Sequence, residues 1–265
     1  MSIVDAERQI EAVAEGLAGQ VAELLGISPE DADKLIERVG HLYMDRMKDR
    51  FTDLRFNNRL KRTNPFLLQV RGARTVRQWA ENQVMSALFA SEEEAIGHVL
   101  ETIAKVCHPT AREPLITDDL DFEVEDGDRV TGYQIKMSWD CMPMSSRKNL
   151  SNTVRNLREH YQKQGKEFVG VFAPCYGRSA TNKTNSQEYV SMRSREFWTD
   201  VGNGDQEYDI KVGEVCRLLC SEFRSELSEE VVPELIDRLT AEGVAVFGTP
   251  EGDIDFRKLF RKINP

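Results

Sequence analysis

The feature that most narrows the possible folds is a change of periodicity in the middle of the chain. From Leu120 to Glu125 apolar and acidic residues alternate, Asp126-Gly127-Asp128-Arg129 carries a turn signature, and from Val130 to Met137 the alternation resumes. A period of two puts successive side chains on opposite faces, so this stretch reads as a β-hairpin. The period before it is helical. Ala6, Ile10, Val13, Leu17, Val21 and Leu24 recur at three- and four-residue steps, and Gly26 is a plausible stop. Ser28 as N-cap and Pro29 in the first turn open a second helix, with a stripe of Ala32, Leu35, Ile36 and Val39 continuing to Tyr43 and Met47. Two further helices are expected over 75–89 and 91–106, the second opened by a Ser91/Glu94 capping box. His98 and His108 read as a helix-surface residue and a loop residue.

After the hairpin come a helix over 147–164, an apolar strand at 168–173, a polar loop over 176–186 and a short strand at 188–192. A helical turn over 194–200 follows, then helices over 212–226, 229–241 and 254–263. Such an order predicts an α/β fold, a mixed central sheet flanked by helices. At 265 residues the chain can bury a core without disulfide or metal staples. Its five cysteines are odd in number and lack paired CxxC spacing, which reads as free thiols in a reducing compartment. Cys216 and Cys220 share a helix face and are expected to be small apolar residues rather than half of a metal site. The opening MSIVDAERQI has no basic-then-apolar leader. No apolar stretch approaches the ~20 residues that a bilayer span requires. A cytoplasmic protein with no membrane partner is expected.

The net charge of −10 argues against a polyanionic partner until its distribution is considered. Residues 55–80 hold seven basic and no acidic side chains, and residues 145–195 hold ten basic against three acidic. Those segments carry +14, leaving −24 on the remainder. A chain so polarised can bind a polyanion on one face and stay dispersed through the other. Solvated helix faces are the competing explanation for each segment.

Chemistry concentrates on the hairpin, in Asp121 and in Gln134-Ile135-Lys136. Hydrolysis of a phosphodiester requires a divalent cation to polarise the phosphate and acidify water, and a positive group beside that water. Alternation puts Gln134 and Lys136 on one face and Ile135 on the other, and the hairpin brings Asp121 beside them. Asp121, the Gln134 amide oxygen and the Ile135 carbonyl would supply the oxygen ligands that Mg²⁺ favours. Lys136 would orient the water. Gln134 stands where an acidic ligand is usual, so a further carboxylate is expected, with Glu81 the first candidate and Glu123 the second. A surface lysine near an aspartate is the alternative that spacing alone leaves open.

Several segments carry a resemblance in order: Asn64-Pro65-Phe66, a helix holding Glu81, the hairpin from Leu120-Asp121 to Lys136, Val169-Gly170-Val171-Phe172, Arg195-Glu196-Phe197-Trp198 and Gly202-Asn203-Gly204-Asp205. Together they resemble the type II restriction endonucleases of the PD-(D/E)XK superfamily that cleave RGGNCCY and related interrupted GGNCC palindromes. The likeness runs from about residue 60 to 220. It implies a PD-(D/E)XK core over 63–265, a helical dimerisation region over 1–62, a homodimer, Mg²⁺ as cofactor, double-stranded DNA as substrate and a cognate DNA methyltransferase as functional partner. It gives Asp121 a metal-ligand role, Lys136 the lysine role, and places Glu81 on a helix glutamate.

DNA contacts can be assigned by residue type. Arg147, Lys148, Asn149 and Asn152 open the helix after the catalytic strand, and Arg or Lys suits guanine while Asn suits adenine. Arg178, Thr181, Asn182 and Lys183 lie in the polar loop, which is otherwise simply solvated. Arg71 and Arg74 suit phosphates. Trp139 is either core or a wedge against DNA, whereas Trp79 and Trp198 are expected in the core. A repair or modification-dependent nuclease and an inactive DNA-binding protein remain the alternative functions.

Overall fold

The computed structural model describes residues 3–52, 54–138, 140–178, 187–226 and 231–264. Trp139, Thr181, Asn182 and Lys183 lie outside the described residues. The helical opening is α1 (Ile3–Leu25) and α2 (Pro29–Thr52). Gly26 ends the first with φ +68°, a left-handed value that costs glycine least. Ser28 Oγ accepts the Asp31 N–H at 3.1 Å, the N-cap bond that the sequence predicts. Two short helices follow, α3 (Phe56–Lys61) and α4 (Pro65–Val70). Asn64 caps α4 by accepting the Leu67 N–H at 3.0 Å, so Asn-Pro-Phe is a helix start.

The two helices expected over 75–106 are one, α5 (Val76–Cys107), 32 residues long. Ser91 is not a cap. Its hydroxyl donates to the Ala87 carbonyl one turn back at 2.9 Å and accepts from Arg50 Nε at 2.8 Å, so it is satisfied inside the continuous helix.

The sheet has five strands in sequential order: β1 (Ala111–Arg112), β2 (Phe122–Asp126), β3 (Arg129–Ser138), β4 (Glu167–Tyr176) and β5 (Val190–Ser191). β1, β2 and β3 pair antiparallel; β3, β4 and β5 pair parallel. The hairpin turn falls on Gly127, with φ +56°. α6 (Met144–Gln162) makes the β3–β4 crossover and packs on one face of the sheet. Gly170 permits that approach: a Cβ there would stand 2.2 Å from Val154 Cγ2. Phe122 and Tyr133 stack on the other face at 4.6 Å. Phe197 lies 6.2 Å from Tyr133 there, on α7 (Ser194–Val201). The mixed sheet flanked by helices is the α/β architecture expected from the sequence.

Three helices complete the chain: α8 (Tyr208–Glu226), α9 (Val232–Phe247) and α10 (Phe256–Ile263). The chain divides into two compact units, one of residues 1–12, 40–96 and 219–265 and the other of residues 13–39 and 97–218. The first is all helical apart from isolated bridges and is centred on Trp79, which is fully buried against Phe56 and Phe247 and donates its Nε1–H to Thr63 Oγ1 at 2.9 Å. The second holds the whole sheet. Trp198 is buried in it and donates to the Cys175 carbonyl at 2.9 Å. Both tryptophans are core, as expected. Among the described residues no helix is long and apolar enough to cross a membrane.

Candidate metal centre

Strand pairing delivers the expected juxtaposition. Phe122 pairs with Tyr133, and the Asp121 N–H donates to the Tyr133 carbonyl at 2.8 Å, so Asp121 sits just before β2 against the Tyr133–Ile135 stretch of β3. Asp121 Oδ2 accepts the Ile135 N–H at 2.5 Å, which fixes the carboxylate at the hairpin's edge. Ile135 is fully buried, while Gln134 and Lys136 are partly accessible, the alternation that the sequence predicts.

Burial pushes the Asp121 carboxyl up to about 6. The Ile135 N–H opposes that shift, the Glu101 carboxylate adds to it, and Lys136 and His98 oppose it. The Glu101 carboxylate of α5 thus acts electrostatically on Asp121, and His98 Nδ1 lies 3.2 Å from Glu101 Oε2. Gly97, one residue earlier, brings this turn of α5 against β3: a Cβ there would touch Met137 Cγ at 3.4 Å.

Gln134 Nε2 donates to the Asp119 carbonyl at 3.0 Å. Its Oε1 is buried and has no hydrogen-bond partner among the described residues. A buried acceptor left orphaned costs about 1–3 kcal/mol, so such an atom calls for an electropositive ligand. An orphaned amide oxygen, a desolvated carboxylate and a neighbouring glutamate are hard oxygen donors suited to Mg²⁺, which takes few protein ligands and keeps waters. The residues present fit the ion. Among the described residues no three His, Cys, Asp or Glu side chains could hold a metal together.

The other expected site residues are distributed unevenly. Glu81 lies in the all-helical unit, twenty residues before Glu101 on α5, with Arg77 Nε 3.2 Å from its Oε1. Glu101 is the α5 carboxylate whose charge acts on Asp121. Glu123 is fully buried, accepts the Tyr161 hydroxyl at 2.8 Å and lies 3.5 Å from Arg112, an internal role. Arg147, Lys148, Asn149 and Asn152 all fall in the first half of α6, and Arg147 Nε donates to the Met142 carbonyl at 3.0 Å. Lys148, Asn149 and Asn152 are exposed, as is Arg178 after β4. Arg71 and Arg74 are exposed in the all-helical unit. Much of the second basic segment is already paired: Arg155 and Arg158 hold Glu188, and Lys166 holds Glu125. The cationic surface left for a polyanion is therefore narrower than the charge count implies.

Sequence reasoning missed Glu101, His98 and the Asp119 carbonyl. Glu101 is one of four glutamates between 92 and 101, and only the register of a helix taken as unbroken separates them. His98 is exposed, as expected, but it faces the acid of the site. His108 lies in the loop just after α5, as expected, but is buried beside Phe122, and burial lowers its pKa.

The desolvated carboxylate has a measurable consequence. A folded-state pKa near 6 against the ordinary 3.8 means the folded protein binds this proton more tightly than the unfolded chain does. The penalty is absent below about pH 4, grows between 4 and 6 and is complete above 6. In EDTA, Asp121→Asn is therefore expected to be more stable than the wild type at pH 7.5, by on the order of 3 kcal/mol. The difference shrinks toward zero by pH 4, and urea unfolding at several pH values reads it directly. A variant no more stable at pH 7.5 would show that Asp121 is not strained by burial.

A family described as Type II restriction endonuclease EcoO109I matches residues 30–217, well over half of the chain and all five strands. No curated protein sequence matches the chain. The five-stranded mixed sheet flanked by helices fits a restriction-endonuclease-like fold.

Proposed function

Since the chain belongs to the type II restriction endonuclease EcoO109I family, we propose that it cleaves both strands of a short palindromic DNA site in a Mg²⁺-dependent reaction at Asp121, Glu101, Gln134 and Lys136. The orphaned Gln134 Oε1 beside the desolvated Asp121 carboxylate carries this reading. Asp121 and Gln134 Oε1 would hold the ion, with the Ile135 carbonyl and Glu101 completing the protein's share. Bound there, Mg²⁺ supplies charge neutralisation at the scissile phosphate and a water of lowered pKa. Glu101 compensates for the charge that Gln134 lacks and, with His98 beside it, accepts hydrogen bonds from the hydrolytic water. Lys136 extends from the same strand face as Gln134 and holds that water in line with phosphorus, stabilising negative charge as it develops.

The exposed Lys148, Asn149 and Asn152 near the start of α6, with Arg147 and Arg178, are proposed to face DNA, while Arg71 and Arg74 contact phosphates. A palindrome has two-fold symmetry and a homodimer matches it, with the helical region 1–62 providing the dimer contacts. A cognate methyltransferase would protect host sites.

Incubation of the purified protein with unmethylated phage DNA, in Mg²⁺ and in EDTA, followed by sequencing of fragment ends, tests the proposal. Discrete fragments sharing an end sequence, formed only with Mg²⁺, are expected. A smear would indicate a nonspecific or repair nuclease instead. Binding without cleavage on any DNA would indicate an inactive DNA-binding protein.

A further inference from the structure

The amide of Gln134 has two chemically opposite ends, and only one of them can face a cation. Its Nε2 donates to the Asp119 carbonyl at 3.0 Å, which turns Oε1 the other way, where it is buried without a partner among the described residues. Asp119 is itself held. Its carboxylate accepts the Thr153 hydroxyl of α6 at 2.7 Å, and its N–H donates to Thr117 Oγ1 at 3.1 Å. Asp119 is exposed and lies in the segment between β1 and β2, so without these ties little would fix its carbonyl.

We propose that Thr153 and Asp119 form a positioning relay that locks the Gln134 amide with its oxygen toward the metal. The proposal rests on the metal-site reading above and deepens it. The arrangement also accounts for the residue type at 134. A glutamate there would set a carboxylate oxygen against the Asp119 carbonyl, acceptor against acceptor, whereas glutamine satisfies that carbonyl and still offers one oxygen ligand. The neutral residue is thus matched to its neighbour, and the missing charge is made up by Glu101. Partners that orient a ligand from outside the coordination shell typically change metal affinity by 10- to 100-fold when removed.

The test is Mn²⁺ binding to the metal-free protein, followed through the loss of the free-ion electron paramagnetic resonance signal, with thermal melting as a control for folding. Thr153→Val is expected to weaken Mn²⁺ binding about tenfold. Thr153→Ser keeps the hydroxyl and should bind within about twofold of the wild type. Asp119→Ala breaks the tie from the other end and should match Thr153→Val. In a Gln134→Ala background, Thr153→Val should cost nothing further, because the group it positions is gone. An undiminished loss in that background, or a serine variant as weak as the valine variant, would overturn the relay. Asp121→Ala separates the two levels of the argument. If it abolishes Mn²⁺ binding while Gln134→Ala and Thr153→Val leave binding unchanged, the relay fails and the metal site stands. If Asp121→Ala leaves binding unchanged, the metal-site reading fails and the relay with it.

Discussion

Asp121→Ala is expected to reduce cleavage by at least about a thousandfold while leaving DNA binding in Ca²⁺ within a few-fold of the wild type. Among the described residues, Asp121 is the one carboxylate fixed by a backbone bond to the Gln134-Ile135-Lys136 strand, through the Ile135 N–H at 2.5 Å. Removing it removes the anionic ligand around which the other oxygen donors are arranged. Losing about 4 kcal/mol of transition-state stabilisation corresponds to a factor of about a thousand, within the several kcal/mol that a catalytic cation supplies. Binding should survive because the groups proposed to contact DNA, Lys148, Asn149 and Asn152 among them, lie on α6 and do not depend on Asp121. Single-turnover cleavage of a plasmid, paired with a gel shift in Ca²⁺, separates the two effects. Full cleavage by the variant would place the chemistry elsewhere.

Glu101→Ala is expected to lower cleavage about a hundredfold and to raise the Mg²⁺ concentration needed for half-maximal rate about tenfold. Glu81→Ala should leave both within about twofold. The contrast follows from placement on one helix. Glu101 contributes to the charge environment of Asp121, whereas Glu81 is paired with Arg77. Since Gln134 brings no charge, Glu101 is proposed to supply the site's second negative charge, and its loss should be felt in metal demand as well as in rate. Initial rates across a Mg²⁺ titration discriminate the two helix acids. Equal effects of the two substitutions would remove Glu101 from its proposed role.

The hairpin was legible because its information is local. Alternation over Phe122–Asp126 and Arg129–Ser138 and a glycine at the turn specify register, and that register brings Asp121, just before β2, against the Tyr133–Ile135 stretch of β3. The opening helices were legible for the same reason, through caps and a continuous stripe. Ser91 misled because a serine followed by a glutamate three residues later has the spacing of a cap, while its bonds to Ala87 and Arg50 depend on packing that sequence does not display. That misplaced break matters for function, since the α5 register determines which glutamate reaches the hairpin. Gly202-Asn203-Gly204 also gains a structural meaning. Asn203 takes φ +52° just after α7, and Gly202 gives Tyr208 room that a Cβ would close at 2.3 Å. The Asp119 carbonyl could not be found by residue type at all, because every residue carries one; only the fold aims it at Gln134.

The central claim is that Asp121 and Gln134 share one divalent ion. Anomalous diffraction from crystals of the protein soaked in Mn²⁺ tests it most directly. The account predicts a peak in contact with both Asp121 and Gln134 Oε1, at about 2.1–2.2 Å from each, with Glu101 in reach directly or through one water. A peak bound elsewhere, in crystals whose protein still cleaves DNA, would contradict it.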